Sequence, residues 1–220
     1  MIVEFIFLIL CLYLYFLFYT HMIINKHNSI YLYNQEITKQ NINNEIKIKK
    51  PFYFNGIHLN DKINKKKYIL IEKGKNTTLY KKNYESIEVL EPYIKFNVEN
   101  NIYYIEKNKY IDLHSNTASC NFYIIKKGKC KISFIHPNYK DNFYKKNKLQ
   151  VDEKTIQYIK ENDNFNTLEC YANTIIYVPN EWFIYIENTN LKQTIVEKIQ
   201  YKTIIDDLIF YTKKVFNKKQ

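Results

Sequence analysis

Hydrophobic residues form one long run near the N-terminus and only short runs elsewhere. Residues 5–19 carry no charge and no helix breaker, and the wider apolar stretch, residues 2–24, is interrupted only by Glu4, Thr20 and His21. A helix of about 20 apolar residues, rising about 1.5 Å per residue, crosses a hydrocarbon core of about 30 Å. This pattern predicts a transmembrane anchor over residues 1–24.

The flanks of this stretch predict how it is used. A cleaved signal peptide has Lys or Arg before its apolar region and small residues after it, and neither is present, so the sequence favours a retained anchor. The nearby cations, Lys26 and Lys39, lie on the C-terminal side. The positive-inside rule then predicts a single-pass membrane protein, held in the membrane through residues 2–24, with its C-terminal domain in the cytoplasm.

Beyond the anchor the chain changes to short strand-like runs. Residues 25–48 are polar and Asn-rich and are interpreted as a tether that holds at most a short helical or extended piece. From residue 49 to about 200, short apolar runs recur between Asn, Lys and Gly, which is typical of an all-β barrel or sandwich. Helices are predicted at Asp152 to Lys160 and in residues 201–220, where apolar positions recur with partial helical spacing.

Two short stretches read locally as paired strands. In IYVPNEWFIYIEN, residues 176–188, two apolar runs meet at a Pro-Asn turn. In NFYIIKKGKCKISF a hairpin is predicted around Gly128, with Cys120 and Cys130 on opposite arms and too far apart for a disulfide. The four cysteines of the chain agree with a reducing compartment.

Composition narrows the choice of partner. Lys, Asn, Ile and Tyr are abundant and Arg is absent, which is the residue usage that an AT-rich genome imposes. The net charge of +11 therefore reflects Lys as the default solvent-facing residue more than a dedicated basic patch. A nucleic-acid-binding protein uses the planar guanidinium of Arg to hold phosphates and guanine edges, so specific nucleic-acid binding is not expected.

Three blocks in the same order resemble the cupin-like branch of the JmjC fold. KKPFYFNGIHLND is similar to the Lys-Pro and apolar strand that open the family's domain, and IDLHSNTASCNFYIIKKGKCKISFIHPNYKDNFY resembles its central block with a His-x-Asp metal pair. LECYANTIIYVPNEWFIYIEN resembles the closing block, which carries Pro-Pro-Gly-Trp-Trp-His and then Val-x-Asn. The resemblance covers residues 49–200 and implies a mainly β, cupin-like double-stranded β-helix, a jelly-roll barrel of the kind found in Fe(II)- and 2-oxoglutarate-dependent hydroxylases.

The resemblance also assigns the family's site to particular residues. A facial triad of two His and one carboxylate holds Fe(II) and leaves positions open for 2-oxoglutarate and oxygen. The first His of this triad falls on His114, the carboxylate on Asn116 and the distal His on Ile184. The Lys that anchors 2-oxoglutarate falls on Cys130, although a slip of one residue would place Lys129 or Lys131 there.

Loss of two of three metal ligands favours a protein without catalysis. The sequence therefore predicts a membrane-anchored, catalytically degenerate cupin-like protein that serves as a binding or structural module, with no catalytic residue, no cofactor and at most His114 at a metal. The protein partner is not identified by the sequence. The alternative is a working oxygenase with Fe(II), 2-oxoglutarate and a rearranged metal site, in which His136 could replace a lost ligand.

Overall fold

The computed structural model describes residues 2–55, 68–73, 77–82, 87–145, 148–149, 152–162 and 164–209. The helices are α1 (Ile2–Met22), α2 (Lys39–Lys47) and α3 (Glu153–Glu161), with short 3-10 helices at Glu88–Leu90 and Pro137–Asn142. The strands before residue 120 are β1 (Tyr31–Leu32), β2 (Phe52–Asn55), β3 (Tyr68–Lys73), β4 (Thr77–Lys82), β5 (Asn97–Ile105) and β6 (Tyr110–Ser115). The later strands are β7 (Cys120–Lys127), β8 (Lys129–Ile135), β9 (Tyr144–Lys145), β10 (Lys148–Leu149), β11 (Asn166–Tyr171), β12 (Thr174–Pro179), β13 (Phe183–Asn188) and β14 (Thr194–Lys202).

Two main sheets carry the fold. The larger has the order β1-β2-β12-β7-β14-β5-β4-β3, and the smaller has the order β11-β8-β13-β6. From β5 to β8, and again from β11 to β14, each strand lies in the opposite sheet from the one before it. This alternation is the strand order of a double-stranded β-helix, the double-sheet jelly roll that cupins also adopt. The mainly β, cupin-like part of the fold prediction is therefore confirmed.

Apolar layers lie between the sheets and on their outer faces. The middle core contains residues of both sheets, including Tyr123, Phe134, Ile184 and Val196. A second core lies where α2 covers the larger sheet, and a third lies where α3 covers the smaller one. Strands such as β7 and β12 are buried on both faces, which explains why they read as continuous apolar runs without alternation.

Gly128 makes the corner between β7 and β8. These two strands belong to different sheets, so the prediction of a hairpin here was wrong. Gly128 has φ +91°, and a Cβ at this position would lie 2.5 Å from Thr194 Oγ1. Only glycine has both this backbone freedom and the space for the corner to close against β14.

The Pro-Asn turn of residues 179–182 is a second corner of the same kind. The predicted strands are present as β12 and β13, but they also lie in different sheets. The turn is held by backbone hydrogen bonds to the end of β6, because Glu181 N donates to Asn116 O at 2.7 Å and Asn116 N donates to Trp182 O at 3.0 Å. Glu181 adopts φ 65°.

The prediction of a transmembrane anchor was wrong. Within the described part of the chain, no helix combines the length and the hydropathy that are needed to cross a membrane. Residues 5–19 give only about 22 Å of uninterrupted apolar helix, which is shorter than a hydrocarbon core of about 30 Å. The predicted single-pass membrane protein, with residues 2–24 in the membrane and a cytoplasmic domain, was wrong for the same reason.

The segments at either side of the barrel have defined structure. Residues 25–48 contain β1 and α2, and Asn25 O accepts a hydrogen bond from His136 Nε2 at 2.7 Å. The predicted helix near residue 152 is confirmed as α3, whose N-cap Asp152 accepts from Thr155 N at 2.8 Å. Residues 204–209 are helical, and the rest of the predicted C-terminal helix lies outside the described residues.

Asn188, at the end of β13, connects two turns. Its Nδ2 lies within 3.0 Å of the carbonyl oxygens of Ile105, Glu106 and Lys192. Its Oδ1 accepts from Asn190 N and from Thr194 Oγ1, both at 2.8 Å. The side chain is 3 % exposed, so water cannot replace these bonds.

We expect Asn188→Ala to lower the free energy of unfolding by roughly 2–4 kcal/mol, because it leaves several buried backbone groups without partners. Asn188→Asp keeps the size but removes the NH2 donors, and it should be at least as destabilising. Urea unfolding of both variants measures this effect, with the exposed Asn44→Ala as a control that should change stability by less than about 0.5 kcal/mol. A loss below about 1 kcal/mol in both Asn188 variants would contradict the prediction that these hydrogen bonds stabilise the two turns.

Candidate functional site

The middle core is apolar over most of its extent and polar where β6 ends. At this polar end lie the side chains of His114, Asn116, Asn121, Tyr123, Lys198 and Gln200. Gln200 Nε2 donates to Asn121 Oδ1 at 3.1 Å, and Asn121 Nδ2 donates to Ala118 O at 2.8 Å. Four of the six side chains in this set are less than 5 % exposed, and polar groups buried to this degree are normally hydrogen-bonded.

A β-bulge turns His114 towards this polar end. On β13 the pairing advances by two residues, from Ile184 to Ile186, while on β6 it advances by three, from His114 to Ile111. Ile111 belongs to the middle core, so strict alternation along β6 would have pointed His114 away from it. The extra residue reverses the alternation and brings His114 to the same face.

Ile184 lies directly opposite His114 on the neighbouring strand. The register pairs Ile184 with His114 on one side and with Phe134 on the other. Ile184 is 0 % exposed and belongs to the middle core. The residue matched to the family's distal His thus occupies the place beside His114 where a second ligand would be required, and it fills this place with hydrocarbon.

His114, Tyr123 and Asn116 form a hydrogen-bonded chain. His114 Nδ1 lies 2.8 Å from Asp112 O, and His114 Nε2 lies 3.0 Å from the Tyr123 hydroxyl. The same hydroxyl donates to Asn116 Oδ1 at 2.7 Å, while Asn116 Nδ2 donates to Trp182 O at 3.2 Å. All three side chains are therefore held by one another and by the backbone.

When His114 is neutral, the hydrogen-bonded chain of His114, Tyr123 and Asn116 has one proton fewer than its contacts require. A carbonyl oxygen only accepts, so Nδ1 carries the proton that it donates to Asp112 O, and Nε2 can then only accept. The single Tyr123 hydroxyl proton is shared between two acceptors, Nε2 and Asn116 Oδ1. Burial and the positive charge of Lys198 lower the pKa of His114 to about 3, which keeps the ring neutral at pH 7.

These residues do not fit Fe(II) bound in the family's manner. Asn116 offers a neutral amide oxygen that already accepts from Tyr123, and Ile184 offers no donor atom. Across the described residues, no group of three or more His, Cys, Asp or Glu side chains could hold a metal ion. Of the predicted site residues, the structure brings His114, Asn116 and Ile184 together, but not as a ligand set.

Cys130 lies in the middle core on β8, and its basic neighbours point elsewhere. Lys129 Nζ makes an ion pair with Glu169 Oε2 at 2.9 Å and lies 5.2 Å from the centre of the Tyr171 ring. Lys131, two positions along the strand, shares the face of Lys129. If the match to the family's Lys is shifted by one residue, from Cys130 to Lys129 or Lys131, the matched Lys therefore still lies outside the core.

His136 has a structural role at the start of the second 3-10 helix. Its Nδ1 accepts from Asn138 N at 3.1 Å, so Nε2 carries the proton and donates to Asn25 O at 2.7 Å. Its ring packs edge-on against Trp182 with centroids 4.9 Å apart. Both ring nitrogens are used, so His136 does not supply the missing ligand.

Four residues of this site, Asn121, Tyr123, Lys198 and Gln200, were not predicted from the sequence, and the charged one among them is Lys198. It lies on β14 two positions after Val196, opposite Tyr123, and its Nζ lies 5.2 Å from the centre of the Tyr123 ring. The residue is 4 % exposed, and none of the hydrogen bonds or ion pairs between described residues includes its ammonium group. Burial lowers its pKa to about 7, against the attraction of Glu99. The sequence gives no signal for its burial, because the run TIVEKIQY also carries Glu197 and Gln200.

Comparison with known proteins gives only distant likenesses. No family model matches the sequence, and no curated protein matches it. Among solved structures, an oxalate decarboxylase of Bacillus subtilis is similar with 13% identity and a TM-score of 0.39, over 59% of this chain and 26% of the other. An oxalate decarboxylase of Lactobacillus farciminis is similar with 12% identity and a TM-score of 0.40, over 61% of this chain and 31% of the other. The chain spans less than a third of these proteins, and a likeness this distant says nothing about its activity.

We expect Lys198→Met to raise the free energy of unfolding at pH 7 by about 1–3 kcal/mol, because it removes a buried ammonium group without an ionic partner. The folded-state pKa of Lys198, about 7, lies below that of the unfolded chain, so the unfolded state binds more protons between pH 7 and roughly 10. The stability of the parent protein should therefore rise across this window.

Urea unfolding at pH 7 and pH 9 measures both effects. The advantage of Lys198→Met should shrink as the pH rises, since deprotonation relieves the same penalty in the parent protein. The exposed Lys127→Met is the matched control and should change stability little at either pH. Equal or lower stability of Lys198→Met at pH 7 would show that the ammonium group is well accommodated.

Proposed function

We propose that this chain is a catalytically degenerate, cupin-like protein of the JmjC type that works as a binding module and does not use metal. The observation that carries the proposal is the placement of Ile184 directly opposite His114 in the middle core. A facial triad requires three donor atoms on neighbouring strands of this sheet. Here one position is hydrocarbon, and a second, Asn116, is an amide committed to Tyr123.

The polar end of the core supports binding as the remaining role. Lys198 is costly in the free protein, because a buried ammonium group without an ionic partner loses its hydration. An anion beside it would recover that free energy. Costly residues of this kind are found at functional sites, where stability is lost so that a ligand can be bound. We therefore propose that the barrel binds a small carboxylate through Lys198.

The alternative is an Fe(II)- and 2-oxoglutarate-dependent oxygenase with a rearranged metal site. It requires about one iron per chain with His114 among the ligands. The hydrogen bonds of His114 to Asp112 O and to Tyr123 would have to be exchanged for such a site. Metal analysis of the purified protein and an assay for succinate formation separate the two proposals, since the binding module gives neither iron nor succinate.

The double variant Asn116→Asp, Ile184→His tests whether the site has lost its metal. Placing an imidazole among apolar side chains should lower the free energy of unfolding by roughly 1–3 kcal/mol. With His114 the variant has a formal triad, so Co(II) at about 100 times its Kd should return about 2.7 kcal/mol by binding the folded state. The measurement is the melting temperature with and without Co(II).

The parent protein and the single variant Ile184→His are the controls, and neither should gain a comparable amount from Co(II). If the double variant also gains nothing, the match of Asn116 and Ile184 to ligand positions is wrong. If the parent protein gains as much as the double variant, the oxygenase alternative is favoured.

Succinate tests the proposed ligand class. We expect millimolar succinate at pH 6.5 to raise the melting temperature of the parent protein, because it binds the folded state through an ammonium group that is mostly charged at this pH. Succinamide has the same size without charge and should have no effect. A shift that persists in Lys198→Met, or the absence of any shift in the parent protein, would contradict carboxylate binding at this residue.

A further inference from the structure

Two cysteines face each other across neighbouring strands of the smaller sheet. The register of β8 and β11 pairs Cys130 directly with Cys170, and both side chains lie in the middle core at 0 % exposure. Directly opposed residues of an antiparallel pair have Cβ atoms about 4.5–5.5 Å apart, while a disulfide requires about 3.5–4.5 Å. A shift of about 1 Å in one strand therefore suffices to join the two sulfur atoms.

The other cysteines cannot compete for this pairing in the folded protein. Cys120 lies in the core between α2 and the larger sheet, on the other side of that sheet from Cys130. Cys11 lies on α1, where it is exposed. The pair of Cys130 and Cys170 is thus the one that the fold has placed in register.

The position of Cys170 provides a route for an oxidant. Among the described strands, β11 lies at the edge of the smaller sheet and pairs with β8 alone. Cys170 is the second-last residue of β11, close to the turn to β12, where Asn173 has φ 71°. Edge strands and strand ends open most readily in native proteins. A hydrogen bond with Cys130 and burial raise the pKa of Cys170, so its thiol reacts when the strand end opens and not in the closed barrel.

We propose that Cys130 and Cys170 form a reversible dithiol–disulfide couple whose oxidant is a small disulfide such as oxidised glutathione. In the first exchange, the Cys170 thiolate attacks a glutathione sulfur, a mixed disulfide forms, and one glutathione leaves as a thiolate that takes up the proton. In the second, Cys130 attacks the Cys170 sulfur and releases the other glutathione. The two protein thiols lose two electrons and two protons, and one oxidised glutathione becomes two reduced molecules.

Oxidation would fasten the edge strand β11 to β8 at the end of the middle core that lies away from His114, where Cys130 pairs with Asn188. The bond closes a loop that contains α3, the cover of the smaller sheet's outer face. The reduced barrel can open at this edge, and the oxidised barrel cannot. Access to the middle core between the two sheets thereby depends on the redox state of the pair.

Equilibration of the full chain with graded ratios of oxidised to reduced glutathione tests the proposal. Peptide mapping without reduction should show the peptides of Cys130 and Cys170 joined, with the loss of two hydrogens and with full reversal by dithiothreitol. The melting temperature of the oxidised form should exceed that of the reduced form by at least about 5 °C, because the bond restricts the unfolded chain.

Cys120→Ser is the matched control, since this buried cysteine lies in another core, and it should leave the linked peptides and the shift unchanged. Cys130→Ser and Cys170→Ser should each abolish the thermal shift and leave at most glutathione on the remaining thiol. The proposal is overturned if both thiols of the parent protein remain alkylatable under the most oxidising ratio. It is equally overturned if a mixed disulfide with glutathione accumulates in the parent protein, or if the joined peptides carry Cys120.

Discussion

The architecture depends on how the chain closes its corners when it passes from one sheet to the other. Asn188 holds the turn after β5 and the turn after β13 with one amide group, and Thr194, next in this network, leaves room at Gly128 only for a hydrogen atom. These contacts fix where β13 ends and where β14 begins. Because a shift of one residue would turn every side chain to the other face, they also fix which residues of both strands meet the core.

The polar end of the core follows from this register. Ile184 faces His114 because β13 is held at Asn188, and Lys198 faces Tyr123 because β14 begins at Thr194. One strand thus brings hydrocarbon to a position matched to a metal ligand, while the next brings a buried ammonium group.

The strands could be predicted from sequence to the extent that their own residues determine them. Runs such as WFIYIEN and the helix after Asp152 have clear apolar patterns and boundary residues, and they form where they were predicted. The sheet to which each strand belongs could not be predicted, since the turn at Gly128 is compatible with a hairpin or a corner until Thr194 is nearby. The bulge before His114 and the burial of Lys198 were invisible for the same reason, because both arise from pairing with distant strands. For residues 5–19, the apolar content predicted a membrane span, and this prediction was wrong.

The place of β14 in the larger sheet has a consequence for synthesis. This strand lies between β7 and β5, so the sheet remains split into two parts until residues 194–202 have left the ribosome. Before that point the nascent chain presents two long strand edges, rich in Ile, Tyr and Phe, to solvent or to a chaperone. Insertion of β14 covers both edges in a single step. The larger sheet is therefore completed late in synthesis and in a single step. A ribosome that stalls shortly before Thr194 would release a chain that is prone to aggregate.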